Sequence, residues 1–214
     1  MKTFAEWFDA GFCINLDHRA DRWDQSRQEL EQIGLKGRVH RFPGYHKVKR
    51  CDGSISGNAG CTASHRGVLE IIAFFNYHRA LVLEDDFARV HPIENFNQYW
   101  SEIQQEIPAD WDLIYLGGHY GEAPKYRVSK HIIRCNSMLT TSSYIVNGQM
   151  ARIMAPYIYG DSSIDNLIGS FAKDHNCYIV QPRLFVQRDS FSDIQERYCE
   201  NRHCMLDSAH ENMV

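Results

Sequence analysis

The sequence has no apolar run long enough to cross a membrane. A membrane-spanning helix takes about 18 or more apolar residues, and the longest candidate stretch, Val68 to Phe75, is broken by Glu70. The first ten residues contain Glu6 and Asp9 and lack the apolar segment of a secretory signal. No Asn-x-Ser/Thr glycosylation sequon occurs. We therefore expect a chain without a transmembrane segment that is located in the cytoplasm.

The cysteines follow no pairing pattern. They number seven, are widely scattered and include no Cys-x-x-Cys pair. Without a secretory signal, reduced and partly buried thiols are expected rather than disulfides. The C-terminal cysteines and histidines also lack zinc-finger spacing, so no zinc site is expected among Cys199, His203, Cys204 and His210.

Neither sign of charge is in large excess. The 214 residues include 23 Lys and Arg against 27 Asp and Glu, which gives a formal net charge of −4. Because nucleic-acid binding depends on a basic surface that releases counterions, we expect no nucleic-acid partner. The sequence also contains no Walker loop, Gly-x-Gly-x-x-Gly, Gly-x-Ser-x-Gly, His-Glu-x-x-His or kinase signature. The enzyme classes that those motifs mark have no support.

The composition that remains is that of an ordinary globular domain. Hydrophobic residues make up 43% of the chain and charged residues 23%, values that argue against wholesale disorder. At about 150 residues per domain, the length predicts one domain. We place this domain at residues 1–198 and a C-terminal tail at residues 199–214.

Strand-like and helix-like segments alternate along this domain. Buried strands are predicted at Gly11 to Leu16, Val39 to Phe42, Ala80 to Leu83 and Leu113 to Leu116, with further strands near Ile132, Tyr144, Ile179 and Phe185. Helices are predicted at Ala20 to Ile33, Cys61 to Tyr77, Asn95 to Ile107, Gln149 to Tyr157 and Ile164 to Asp174, with a turn-rich stretch from Cys51 to Gly60. Such alternation is typical of an α/β fold whose mainly parallel central sheet is flanked by helices. Ligands of such sheets bind beyond the carboxyl ends of the strands.

Three consecutive acids follow one of these strands directly. Glu84, Asp85 and Asp86 come after Leu-Val-Leu, and crowded carboxylates repel one another unless a cation neutralises them. Their oxygens suit Mg²⁺ or Mn²⁺ bound together with substrate phosphates. A solvated acidic turn explains the same spacing equally well. A second Asp-x-Asp pair, Asp110 and Asp112, precedes its strand and is interpreted as structural.

Two weaker patterns lie at other predicted strand and helix ends. Arg19 and Arg22 follow the first strand and could recognise an anion, although ion pairing with the neighbouring aspartates is favoured when this segment is taken alone. Ser64 and His65 lie near the start of a helix, where a phosphate or ribose could bind; simple helix capping explains them as well.

Taken together and in order, these segments resemble glycosyltransferase family 25, which includes lipooligosaccharide and procollagen galactosyltransferases. The resemblance extends over roughly residues 13 to 194. The matching stretches are Ile14-Asn15-Leu16-Asp17 with Arg19 and Arg22, Gly60 to His65, Leu81 to Asp86, Trp111 to Gly117, Ser143 to Val146, Ile164-Asp165 and, more loosely, Gln187 with Ser192 to Ile194.

The resemblance implies a GT-A type fold in one α/β domain that binds a nucleotide-sugar at the strand ends. It also implies a divalent cation, Mn²⁺ or Mg²⁺, at the acidic cluster. Carried over residue by residue, Glu84 and Asp86 are metal ligands, with Gln187 or Ser190 near a third ligand position. Asp85 lies close to the sugar or ribose and is counted with Asp165 as a catalytic residue. The nucleotide pocket is lined by Asn15, Leu16, Arg19, Arg22, Ser64 and His65.

The family is inverting, so a carboxylate should take the proton of the acceptor hydroxyl. We assign this role to Asp165. A purely structural role explains Asp165 nearly as well, because the helix dipole favours an acidic residue in the first turn of a helix. The expected reaction moves galactose or glucose from a UDP-sugar to a glycan or protein acceptor, collagen-like sequences included. The alternatives are a non-catalytic module that binds a nucleotide-sugar or glycan, and a Mg²⁺-dependent phosphohydrolase.

Overall fold

The computed structural model describes residues 1–50, 52–202 and 205. The helices are α1 Phe4–Trp7, α2 Ala20–Gln32, α3 Gly57–Phe75, α4 Ile93–Glu106, α5 Gly148–Met154 and α6 Ile164–Ser170, with short 3₁₀ turns at Ala155–Tyr157 and Phe171–Lys173. The strands are β1 Ala10–Leu16, β2 Val39–Gly44, β3 Val48–Lys49, β4 Ile55–Ser56, β5 Ala80–Glu84, β6 Phe87–Arg89, β7 Leu113–Tyr115, β8 His119–Glu122, β9 Tyr126–Arg127, β10 Ile132–Arg134, β11 Ser137–Leu139, β12 Ser143–Val146, β13 Cys177–Val180, β14 Phe185–Gln187, β15 Ser190–Ser192 and β16 Arg197–Cys199.

Eight of the strands form one central sheet in the order β2-β1-β5-β12-β7-β13-β10-β9. β1 is parallel to β2 and β5, and β13 is parallel to β7, whereas β12 and β10 are antiparallel to their neighbours. Strands β2, β1, β5, β7, β13 and β9 therefore point one way, and only β12 and β10 are reversed among these eight. The predicted α/β fold with a mainly parallel central sheet is confirmed.

Both faces of the sheet are covered, which explains why the inner strands β1, β5, β7, β12 and β13 are largely apolar. In β5, Val82 faces one core with residues of α3, α5 and α6. Leu81 and Leu83 face the other core, which includes residues of α1, α2 and α4. No described helix is long and apolar enough to span a membrane.

The start of α3 differs from the sequence prediction. The helix begins at Gly57 rather than Cys61, and the Ser56 hydroxyl accepts a hydrogen bond from the Ala59 amide (3.2 Å) at its first turn. The glycines of this stretch were interpreted as turn residues, but Gly60 lies inside the helix. A Cβ atom at Gly60 would lie 2.3 Å from the Tyr45 carbonyl oxygen. Glycine therefore allows the helix to pack closely against the loop that follows β2.

The segment from residue 190 to 199, which we call the C-terminal hairpin, consists of β15 and β16 paired antiparallel. It is attached to the carboxyl edge of the sheet by ion pairs, Asp193 with Arg19 (2.5 Å) and Glu196 with Lys47 (2.8 Å). The predicted tail at 199–214 begins on the last residue of β16, and its members His203, Cys204 and His210 lie outside the described residues.

Among the described residues, the cysteines Cys13, Cys61, Cys135, Cys177 and Cys199 are all free, and only Cys61 is not fully buried. The reduced, partly buried thiols expected from the sequence are therefore present in this part of the chain.

Candidate functional site

The carboxyl ends of β1 and β5 bring Asn15 and Asp85 together. The two strands are paired in parallel, with Ile14 opposite Glu84, so the residues that follow are neighbours. The Asn15 amide donates to Asp85 Oδ2 (2.7 Å), and the Arg22 guanidinium from the first turn of α2 donates to Asp85 Oδ1 (2.8 Å). Both oxygens of Asp85 thus accept hydrogen bonds from side chains that are predicted to line the nucleotide pocket.

Asp86 is buried with one oxygen occupied and one free. Strand β14 pairs with β6 so that Gln187 lies opposite Phe87, and the Gln187 amide donates to Asp86 Oδ2 (2.8 Å). The other oxygen, Oδ1, has no hydrogen-bond partner among the described residues. Burial and the nearby Glu84 carboxylate raise the pKa of Asp86 to about 7. A cation bound at this oxygen would satisfy it.

Glu84 is joined to Asp165 by one hydroxyl group. Thr141 Oγ1 lies 2.8 Å from Glu84 Oε1 and 2.9 Å from Asp165 Oδ1. Because a hydroxyl carries one proton, it donates to only one carboxylate at a time. Burial and the nearby Glu84 raise the pKa of Asp165. A protonated Asp165 would in turn donate to the hydroxyl.

His65 holds the other side of Glu84. Its Nε2 lies 3.2 Å from Glu84 Oε1, and its Nδ1 lies 3.0 Å from the Tyr144 hydroxyl. A neutral imidazole satisfies both contacts when Nε2 donates and Nδ1 accepts. Burial would raise the pKa of Glu84, but hydrogen bonds from His65 and Thr141 outweigh it and lower the pKa.

Two adjoining pockets meet at Glu84 and Gln187. The first has a volume of about 110 Å³ and is lined by residues of the sheet edge, α3 and the C-terminal hairpin, among them Leu16, Arg22, Ser64, His65, Asp86 and Ile194. The second has a volume of about 540 Å³ and is lined by Asp165, Thr141, His119 and others. Pockets for small molecules typically enclose ~300–1,000 Å³, so the first pocket is narrow where the hairpin covers it.

The structure brings most of the predicted site residues into this region. Asn15, Arg22, Asp85, Asp86 and Gln187 are joined by hydrogen bonds and by the ion pair between Arg22 and Asp86. Glu84 lines both pockets, Ser190 accepts from Arg22 (2.6 Å), and Asp165 lines the second pocket.

Two of the predicted residues have other partners. The Arg19 guanidinium pairs with Asp21 and Asp193 at the pocket's rim. The Ser64 hydroxyl donates to the Gly60 carbonyl (2.7 Å) and accepts from the Tyr45 amide (2.8 Å), which holds the start of α3. Both remain predicted nucleotide contacts.

Thr141 is absent from the predicted site residues, and Ser190 is the one predicted from the C-terminal hairpin. A single threonine before a short strand carries no recognisable motif. Hairpin contacts such as Arg19 with Asp193 join residues 174 positions apart. The Asp110 and Asp112 pair is structural in its contacts, since Asp112 Oδ2 accepts from the Asn176 amide (2.8 Å) at the opposite end of the sheet.

Searches against known proteins find relatives in the family that the sequence resembles. No family model matches the chain. Inactive glycosyltransferase 25 family member 3 of Homo sapiens is 29% identical over 132 residues, covering 51% of this chain and 22% of that protein. Procollagen galactosyltransferase 2 of Mus musculus is 27% identical over 129 residues, covering 51% and 21%. The predicted resemblance to glycosyltransferase family 25 is confirmed by these relatives.

These family 25 relatives are much longer proteins. The probable inactive member 3 of Bos taurus, 25% identical over 170 residues, is matched along 68% of this chain but only 28% of its own length. The chain therefore spans between about a fifth and just over a quarter of the curated relatives that it matches.

A solved structure confirms the fold. A glycosyltransferase involved in the glycosylation of the major capsid of PBCV-1 superposes with a TM-score of 0.52, covering 87% of this chain and 95% of that one at 10% identity. At this identity the likeness concerns the fold alone, and the predicted GT-A type fold is confirmed.

Proposed function

We propose that this chain is an inverting glycosyltransferase that moves a hexose, galactose or glucose, from a UDP-sugar to a hydroxyl acceptor and depends on Mn²⁺ or Mg²⁺. The observation that carries the proposal is the buried acidic cluster at the carboxyl edge of the sheet. Its Asp86 Oδ1 is unpartnered, and two pockets meet beside it at Glu84 and Gln187. The name of procollagen galactosyltransferase 2 and the fold shared with a solved glycosyltransferase support glycosyl transfer.

The residues present fit a hard divalent cation. Asp86 offers a buried oxygen without a partner, and Glu84 offers a second carboxylate. Rotation of the Gln187 amide would present its carbonyl oxygen in place of its NH₂ group. Such oxygen ligands are those that Mn²⁺ and Mg²⁺ prefer. When bound, the cation would neutralise charge on the leaving diphosphate.

The side chains that line the first pocket suit the diphosphate of the donor. Arg22 lines this pocket, and an Arg fork recognises phosphate oxygens through paired hydrogen bonds. Arg22 is held in place by Asp85 and Ser190. The donor nucleotide would therefore lie along the end of β1, with its diphosphate toward Asp86.

The second pocket fits the acceptor. Asp165 lines it, on the far side of Glu84 from Arg22. In the proposed reaction the acceptor oxygen forms a bond to the anomeric carbon while the bond from that carbon to the diphosphate oxygen breaks. The proton of the acceptor hydroxyl passes to the Asp165 carboxylate. A raised pKa makes a carboxylate a better base, and burial raises the pKa of Asp165. The acceptor is a glycan or protein hydroxyl, and the cytoplasm is the expected location.

Thermal unfolding with a panel of nucleotide-sugars, with and without Mn²⁺, tests the proposal. We expect one UDP-sugar to raise the Tm only when Mn²⁺ is present, because a ligand at 100 times its Kd adds about 2.7 kcal/mol. Asp86→Asn should abolish this shift, and Asp174→Asn, at an exposed aspartate, should keep it. Failure of every nucleotide-sugar to change the Tm, or an unchanged shift in Asp86→Asn, would contradict the proposal.

A second candidate function is favoured by the names of two relatives, which are called inactive and probable inactive family members. Under this alternative the chain binds a nucleotide-sugar or glycan without transferring it. Release of UDP from the stabilising UDP-sugar separates the two functions: continuous UDP release in the presence of Mn²⁺ indicates turnover. Mn²⁺-dependent stabilisation without UDP release would favour the binding module.

A further inference from the structure

Three metal-ligating side chains converge outside the acidic cluster, at the rim of the first pocket. His18 follows β1, His46 follows β2, and Asp193 lies in the turn of the C-terminal hairpin. One ligand atom of each lies within 4.8 Å of the other two. His18 Nε2 lies 3.2 Å from Asp193 Oδ1, and the rings of His18 and His46 are 4.5 Å apart between centroids.

The spacing is close to that of a tetrahedral site. Ligand atoms at Zn–N and Zn–O distances are about 3.3 Å apart around a tetrahedral ion. The contact between His18 and Asp193 already has this length. The ligand atom of the exposed His46 lies within 4.8 Å of the other two, and it would move closer to them when a metal binds. Three protein ligands and one water complete such a coordination shell.

The carboxylate is already oriented for this role. Asp193 Oδ2 accepts from the Arg19 guanidinium, so the other oxygen, Oδ1, is the one turned toward the imidazole. Hydrogen bonds of this kind to a ligating carboxylate are usual around metal sites.

We propose that His18, His46 and Asp193 form a second metal site, which takes Zn²⁺ or a similar late first-row cation and fastens the C-terminal hairpin to the sheet edge. Two imidazoles and one carboxylate favour Zn²⁺, Co²⁺ or Ni²⁺ over Mg²⁺. This preference separates the site from the oxygen-lined cluster at Asp86. Because Asp193 and Ile194 line the first pocket, the bound cation would keep the hairpin closed over it.

Metal titration of the purified full chain tests the site. The metal-free protein would compete for Zn²⁺ with a chromophoric chelator in excess Mg²⁺, and Co²⁺ absorption would report the ligand type. We expect one Zn²⁺ equivalent that is lost in His46→Ala and in Asp193→Asn. The matched control, His78→Ala, removes an exposed histidine at the opposite end of the sheet and should keep that equivalent. Thermal melts establish that each variant is folded.

The Co²⁺ spectrum separates this site from another mixed set of ligands, Cys61, His65 and Glu84, which also lie within 4.8 Å of one another. Thiolate ligation produces a charge-transfer band, whereas two imidazoles and a carboxylate do not. Binding that is equal in wild type, His46→Ala and Asp193→Asn, or a dominant thiolate band, would overturn the site.

Limited trypsin digestion tests the fastening of the hairpin. Arg197 is an exposed cleavage point in β16. We expect Zn²⁺ to slow cleavage after Arg197 in the wild type but not in His46→Ala. Cleavage that is equally fast with and without Zn²⁺ in a wild-type protein that binds the metal would overturn the proposed role in closure.

Discussion

Asp86 combines burial, a neighbouring acid and an unpartnered oxygen in one side chain. Burial and Glu84 raise its pKa from 3.8 to about 7 in the metal-free fold. As the pH rises above 3.8, the unfolded chain loses this proton before the folded chain does. The contribution of Asp86 to the stability of the metal-free fold therefore declines between pH 3.8 and about 7.

Asp86→Asn is accordingly expected to stabilise the metal-free protein at neutral pH, because it removes a buried carboxylate whose ionisation destabilises the folded state. Its Tm should exceed that of the wild type at pH 7, and the difference should shrink as the pH is lowered toward 3.8. Thermal melts over this range in the presence of a chelator provide the measurement. A lower Tm for Asp86→Asn than for the wild type at pH 7 would show that the carboxylate stabilises the metal-free fold.

Asp165 is expected to act on the reaction rather than on donor binding. Loss of a general base lowers turnover by about 10²- to 10⁴-fold, so Asp165→Asn should reduce sugar transfer to this extent. Its Mn²⁺-dependent Tm shift with the donor should remain, because Asp165 lines the second pocket and not the first. Transfer assays with the stabilising UDP-sugar would measure kcat. Turnover equal to that of wild type would exclude Asp165 as the base.

Strand β12 shows what the sequence pattern could and could not predict. Its position near Tyr144 follows from an apolar run, and an apolar run reads the same in either direction along the sheet. The reversal of β12 between β5 and β7 was therefore not predicted. It places Thr141, which precedes β12, beside Glu84 at the end of β5. Residues that follow the parallel strands could be assigned to the site from the sequence. Thr141 could not, because it precedes a strand whose antiparallel direction the sequence does not reveal.

The first turn of α3 depends on the close approach of its backbone to the β2 loop. A Cβ atom at Gly60 would meet the Tyr45 and His46 carbonyl oxygens at 2.3 and 2.8 Å, and backbone atoms cannot move aside easily. Gly60→Ala should therefore lower the free energy of unfolding, despite the gain of about 0.5–1 kcal/mol that Ala usually brings to a helix. Urea denaturation provides the measurement.

Gly67→Ala in the same helix is the matched comparison. Its Cβ would meet the tip of the Phe42 ring at 2.8 Å, a side chain that can rotate away. This variant should lose less stability than Gly60→Ala. Equal stability of Gly60→Ala and the wild type would show that the contact with the β2 loop is not tight in solution.

The N-terminal segment belongs to the core of the whole molecule. Phe4 in α1 is 2% exposed and makes ring contacts with Phe8, Phe96, Trp100 and Phe185 at centroid distances of 4.8 to 5.9 Å. Removing a buried Phe side chain costs about 3–5 kcal/mol. Phe4→Ala should lower the free energy of unfolding by this amount in urea denaturation. Phe74→Ala, at a ring that is 82% exposed, should change it by less than about 0.5 kcal/mol; similar losses in both would contradict the assignment of α1 to the core.

The arrangement of the sheet and of its carboxyl-edge residues could be predicted because strand ends are visible in the sequence. The C-terminal hairpin could not, since its anchoring contacts, such as that between His18 and Asp193, join residues 175 positions apart. Polar residues in a surface hairpin have no periodicity that indicates which distant side chain they will meet. Prediction from sequence therefore reached the acidic cluster and Ser190, but not the contacts that hold the hairpin over the first pocket.

All four tryptophans of the chain lie on one side of the central sheet. Trp7 and Trp100 belong to the core that includes residues of α1, α2 and α4, and Trp23 and Trp111 pack against it. The other core, built on α3, α5 and α6, contains none. Intrinsic tryptophan emission therefore reports on the packing of only one of the two layers that cover the sheet. Its unfolding curve will coincide with that from backbone circular dichroism only if both layers melt together.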